Sequence, residues 1–365
     1  MARWITRKRI TIALCLMLSG VLGTAGTVAY LTFLRSPADP PARVCGDRRA
    51  PGGPLVVAAG ASLTRGTLGA DWVGRLRERP EFRGYTFVNS GVNGDTTAGL
   101  LARTDTDIVR CRPDAVTLLI GTNDVRDGVS PQRYRDNLAA IVERIRSRTS
   151  ARIALMSLPP LGEDLDADIN RRLGAYNTAI RDIAARAGVD YVPVHETMAE
   201  RLRGRGGGGV AFGFGFGLAY RAGAEHYLLG RSWDEIARGN GLELFVDHIH
   251  LSDRGGAVVT DLAAQWLSAT ARPAGGVVIP GRAVGASRHR AGVRVERVQA
   301  AVGVVPRAVR YGQRPAVPAH PDRSRGYARQ VGTHRIVSAG VVLAGAAFVV
   351  SPLLPWAGVP HSPPA

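Results

Sequence analysis

Lysine is all but absent from this chain: every basic residue except Lys8 is arginine, which marks a compositional bias of the whole chain more than a selected cationic surface. Net charge is missing from the middle. Residues 45–272 carry 29 basic and 27 acidic groups, while 1–44 carry six and one and 273–365 carry 12 and two, giving +2, +5 and +10. The formal +17 therefore belongs to the two ends. A nucleic-acid-binding domain needs a basic face on the folded part, so nucleic acid is not an expected partner. Cysteine is scarce. Of the three, Cys15 lies in an apolar run behind a leucine, where a lipid-attachment site wants a small residue, which leaves Cys45 and Cys111. The chain also lacks metal-ligand spacing and a nucleotide-type phosphate loop, so neither metal nor cofactor is expected.

What is present begins with Arg3, Arg7, Lys8 and Arg9 ahead of an uncharged apolar run over 10–34. As a helix those 25 residues cover roughly 37 Å, enough to cross a bilayer with some tilt. A cleaved signal sequence usually has an apolar core of about 7–15 residues, so a retained anchor over 1–34 is favoured, with cleavage near Ala29 or Ala38 as the alternative. The basic cluster would stay inside and send the rest outward. Residues 35–54, rich in Pro, Arg and Gly, read as a linker.

With 365 residues, 45% of them hydrophobic, the chain can build a sizeable core. From residue 55, short apolar stretches alternate with helical patterns. Strands are expected at 55–59, 85–89, 115–120, 152–158 and 189–194. Helices are expected at 71–79, 96–109, 131–148, 167–187 and 252–269. The alternation predicts an α/β fold with a mostly parallel five-stranded sheet and helices on both faces. In such a sheet the first and third strands are usually neighbours, so Cys45 and Cys111 at their entrances can meet as a disulfide in an oxidising compartment. Two buried thiols are the alternative.

The alternation breaks at 204–245, a glycine-rich insertion with Phe212, Phe214 and Phe216 at every second position. It reads either as a lid over a site or as an insertion that covers nothing. Residues 273–335 read as a disordered basic tail, a candidate contact for an anionic envelope polymer or simply a solvated extension. The apolar, Pro-interrupted segment in 336–365 is a weaker membrane candidate, because a second span would leave the Arg-rich tail outside.

Functional groups in parallel sheets collect at the carboxyl ends of the strands. After the first strand comes Gly60-Ala61-Ser62-Leu63, after the second Gly91 with Asn93-Gly94, and after the third Gly121-Thr122-Asn123-Asp124. Asp247-His248-Ile249-His250 precedes the last helix. A serine hydroxyl attacks a carbonyl only if a base takes its proton. A histidine, whose free imidazole titrates near ~6.5, can do so, and an aspartate beside it fixes the tautomer. Ser62, His250 and Asp247 fit those three roles, while the backbone N–H groups of Ser62 and Gly91 and the Asn123 amide would form an oxyanion hole. His248 is a rival base. His195 and His226 read as surface or packing residues, and Asp124 as a brace for its loop.

These four blocks, in this order over roughly 55–270, resemble the SGNH, or GDSL-type, hydrolase superfamily. The resemblance implies a flavodoxin-like three-layer α/β/α sandwich over 55–272 and metal-free hydrolysis of esters or thioesters, and it selects His250 over His248 by spacing. One position departs from the pattern: the family usually has Asp before the nucleophile, and this chain has Ala61. The expectation is an outward-facing serine esterase, anchored in the cell membrane or secreted, acting on a lipid ester or an acylated glycan. The alternative is an idle hydrolase fold that binds envelope glycan or lipid.

Overall fold

The computed structural model describes residues 2–46, 52–204, 210 and 212–269. The expected tail over 273–335, the segment 336–365 and residues 205–209 and 211 of the insertion lie outside them. An apolar helix α1 (Ala2–Ala29), continued by a π-helical turn at Tyr30–Leu34, and a short α2 (Pro41–Val44) precede the sheet. Then come β1 (Leu55–Gly60), the single turn α3 (Ser62–Arg65), α4 (Trp72–Arg77), β2 (Thr86–Gly91) and α5 (Thr97–Asp107). β3 (Ala115–Leu119) leads through α6 (Thr122–Arg126) to α7 (Pro131–Arg148). β4 (Arg152–Met156), α8 (Asp168–Ala187), β5 (Asp190–Val192) and α9 (Val194–Arg203) follow. The insertion contributes α10 (Phe216–Leu229) and α11 (Trp233–Gly239), and α12 (Asp253–Ser268) closes the fold.

All five strands are parallel, in the order β2-β1-β3-β4-β5. Strand residues alternate faces, and both faces are covered, so the strands read as continuous apolar runs. Val57, Ala59, Val116, Leu118 and Ile153 meet α5, α7 and α8 through Leu100, Leu138, Ile141 and Leu173. On the other face Val56, Ala58, Leu119, Ala154 and Met156 meet α4, α9 and α12 through Trp72, Met198, Val259 and Trp266. This is a three-layer α/β/α sandwich of flavodoxin-like strand order. Local signals set the helix limits. Ser130 accepts from the Arg133 N–H ahead of Pro131, Gly188 closes α8 in the left-handed region, and Ser252 caps α12.

The segment read from composition as a linker is not a free spacer over 35–46. The Asp39 carbonyl accepts from the N–H of Asn89 on the edge strand β2 (2.8 Å), and its carboxylate pairs with Arg77 (2.8 Å). Cys45 is joined to Cys111 by a disulfide, Cα to Cα 4.6 Å, where the entrances of β1 and β3 meet.

Residues 8–34 are long and apolar enough, by length and composition, to cross a membrane. The far end of this helix does not stand clear of the domain. Val28 and Thr32 are buried, and Tyr220 of α10 donates to the Ala25 carbonyl (3.1 Å). A helix leaves its last carbonyls without intrahelical partners. Here Arg65 donates to the Leu34 and Arg35 carbonyls (2.9 and 2.8 Å) and Asn93 to that of Phe33 (2.8 Å).

Candidate active site

β1 ends at Gly60, and the chain turns through Ala61 so that Ser62 stands at the start of α3. Glycine is required at 60 because a Cβ there would collide with the Leu119 carbonyl and the Thr64 side chain. Gly91, opposite it in the register, is required because a Cβ would strike the Arg65 backbone nitrogen. Ala61 is buried in the core; its side chain offers the turn no polar group, and its carbonyl accepts from the N–H groups of Thr64 (3.1 Å) and Arg65 (3.0 Å). Other groups hold the turn. The Asn89 amide donates to the Thr64 carbonyl (2.8 Å), and Arg103 of α5 donates to the Gly60 and Ser90 carbonyls (both 3.0 Å).

The opposite wall is a tight loop between Phe245 and Leu251, which face each other across an antiparallel bridge, with Val246 N–H donating to the His250 carbonyl (2.7 Å). Inside it the fully buried Asp247 accepts from His250 Nδ1 (2.8 Å to Oδ2) and from the backbone N–H groups of His250 (2.8 Å) and Ile249 (3.2 Å). Burial alone would raise this carboxyl, but the charge and hydrogen bonds of His250 and the two N–H donors outweigh it and hold it below its ordinary value. The other ring nitrogen, Nε2, accepts from the Ser62 hydroxyl at 2.9 Å. Three residues brought from both ends of the domain thus form one continuous relay.

The groups expected to form an oxyanion hole are placed differently. As the first residue of α3, Ser62 has a backbone N–H with no intrahelical partner. The Gly91 N–H, expected to face the reaction centre, donates to Asn89 Oδ1 (3.0 Å), because the Asn89 side chain folds back over the next two residues. The Asn123 amide donates one hydrogen bond to the Asp95 carbonyl (2.8 Å), which leaves its second proton. Asp124 is buried and accepts from the N–H (2.9 Å) and hydroxyl of Thr97, bracing α6 against the start of α5. Burial pushes its carboxyl up to about 6.

The other histidines serve elsewhere. His248 sits in the left-handed region at φ 70° with its ring edge-on to Phe212 and its Nδ1 buried without a hydrogen bond, and burial lowers its pKa. His195 lies against the Leu158 carbonyl (3.1 Å), and His226 stacks on Trp233 at 3.9 Å. Two supports escaped the sequence reading. Glu163 Oε1 accepts from the N–H groups of Glu243, Leu244 and Phe245 (2.7, 2.6 and 3.3 Å) and so fixes the approach to the base loop. Arg103 clamps the ends of β1 and β2. Neither carries a local motif, since each acts on residues far away in the chain. Among the described residues no three His, Cys, Asp or Glu side chains gather as a metal site.

Comparison with known proteins adds a second line of observation. Residues 58–258 match the model of the GDSL-like lipase/acylhydrolase family. Over 93 residues the chain is 34% identical to the esterase TesA of Pseudomonas aeruginosa, covering 24% of this chain and 46% of that protein. Over 118 residues it is 30% identical to the uncharacterized lipoprotein YqeF of Bacillus subtilis, covering 28% and 48%. The chain thus spans about half the length of the curated relatives it matches. Among solved structures, it is similar to the acetylxylan esterase Axe2 of Geobacillus stearothermophilus (20% identity, TM-score 0.44, 59% of this chain and 94% of that one). The family match runs from β1 to α12, and so takes in the serine turn, both donor loops and the Asp247–His250 loop. The chain belongs to the GDSL-like lipase/acylhydrolase family.

Proposed function

We propose that the chain is an outward-facing serine esterase held at the membrane by its N-terminal helix, acting on the ester of a lipid or of an acylated glycan. The observation that carries this reading is the relay from Ser62 through His250 to Asp247. Ser62 Oγ attacks the ester carbonyl as its proton passes to His250 Nε2, while Asp247 holds the Nδ1–H and stabilises the imidazolium. The tetrahedral oxyanion takes the Ser62 N–H and the free proton of the Asn123 amide. Gly91 joins them by exchanging its bond to Asn89. Collapse expels the alcohol, which takes the proton from His250, and leaves an acyl-Ser62. Water then gives a proton to His250, attacks the acyl carbon and releases the acid, and Ser62 recovers its proton.

The outward orientation is supported by the basic cluster ahead of the apolar helix and by the Cys45–Cys111 disulfide, which suits an oxidising compartment. Labelling of the full chain with a fluorophosphonate tests the reading. Wild type is expected to label and Ser62→Ala to give none. An unlabelled wild type would point instead to an idle fold that binds glycan or lipid, and equal labelling of the variant would overturn the assignment of Ser62 as nucleophile.

A further inference from the structure

We infer that Phe212, Phe214 and Phe216 form an acyl-chain guide from the bilayer to Ser62, so that the substrate is a long-chain ester resident in the membrane. This rests on the esterase reading and names its substrate class.

Over residues 8–24 the side chains of α1 are exposed throughout, and from Ala25 onward the helix begins to be covered by the domain. The free apolar stretch 10–24 therefore measures about 22 Å, against about 30 Å for the hydrocarbon core of a bilayer. To span the core the helix must sink as far as about Ala29, taking the contact between Ala25 and Tyr220 to the level of the lipid. Phe33 then stands about one turn outside the hydrocarbon. With its end clamped by Arg65, on the same helical turn as Ser62, and by Asn93, two residues after Gly91, the anchor holds the site at that height.

Phe216 lies edge-on to Phe33 of the anchor (ring centroids 6.5 Å) and to Phe214 (5.4 Å). The guanidinium of Arg126, at the end of the helix that carries Asn123, lies over the Phe214 ring (5.4 Å). Phe212 lies edge-on to His248 in the base loop (6.2 Å). The three rings thus run from the anchor, past the donor helix, to the loop of the catalytic base. Phe216 is 71% exposed despite its contacts, an apolar ring whose cover is supplied by an acyl chain.

The test uses the full chain reconstituted in phosphatidylcholine vesicles, with a bilayer-resident palmitoyl ester and a soluble acetyl ester of the same fluorogenic alcohol. Wild type is expected to favour the palmitoyl ester in kcat/KM. Phe214→Ala and Phe216→Ala should each lower the palmitoyl-to-acetyl ratio at least about tenfold. Phe216 is exposed enough that its truncation leaves no core cavity, and thermal unfolding of each variant checks the fold. A wild-type preference for the acetyl ester, as an acetylated glycan would require, overturns the inference. So does a ratio unchanged in both variants. In either case fluorophosphonate labelling of Ser62 leaves the esterase reading standing; absence of labelling removes both.

Discussion

The two halves of the site stand in different states. The proposed nucleophile and base are fully connected, Ser62 to His250 to Asp247, by hydrogen bonds at both ring nitrogens. Across from them the proposed oxyanion donors are engaged only in part by the chain itself: the Gly91 N–H is held by Asn89 and one Asn123 proton by the Asp95 carbonyl, while the second Asn123 proton and the Ser62 N–H are not. The difference follows from how each half is built. The base loop is made by a three-residue spacing inside one tight turn, whereas the donors come from the ends of separate strands and are held by whatever those strands place nearby. The first half is poised by local geometry. The second is completed when charge developing on the substrate draws the Gly91 N–H away from Asn89.

The largest expected break of this contrast is Asp247→Asn. It leaves the shape of the base loop but presents the wrong tautomer, and kcat should fall on the order of 10⁴-fold in steady-state assays. Asn123→Ala removes a donor from the other half, and a loss of roughly 10²–10³ in kcat with little change in KM would show that its second proton serves the transition state. An unchanged kcat would mean that the bond to Asp95 is its whole role. Glu163→Ala strips the acceptor from three N–H groups behind the base loop, two of them buried, and should cost about 3 kcal/mol in unfolding free energy, with Glu163→Gln restoring much of it.

The smallest expected effect concerns Asp124. Its carboxyl is raised from 3.8 to about 6 by burial, so the folded chain takes up this proton at a higher pH than the unfolded chain does. Stability contributed by the protonated form is present below about pH 4 and is lost as the pH rises through about 6. The loss amounts to up to about 3 kcal/mol. Denaturant unfolding at pH 4 and pH 7 should show that difference in wild type, and Asp124→Asn should abolish it.

Much of this was legible in the residues. The five strands fall within a few residues of the apolar runs that announce them, because a strand covered on both faces must be apolar throughout, and the relay sits on motifs of fixed spacing. What the sequence did not show is long-range. The two helices of the insertion are masked by the glycines that precede them. The engagement of the Gly91 N–H depends on the rotamer of Asn89. Asn89 and Arg103 hold the turn to which the Ala61 side chain brings no polar group, and no local pattern ties an asparagine or an arginine to a carbonyl 25 or 43 residues away.

The disulfide bears on the order in which the site is completed. Cys45 and Cys111 enclose β1, α3 and β2, the stretch that carries Ser62 and Gly91, and closing a loop of separation 66 restricts the unfolded chain by about 4 kcal/mol. On the proposed topology the chain emerges in order behind its anchor, so both thiols reach an oxidising compartment while β5, the insertion and the base loop are still to come. The nucleophile half can therefore be covalently sealed on a nascent chain that has no base, and such a chain stays chemically silent until its last helix arrives to set His250 against the serine.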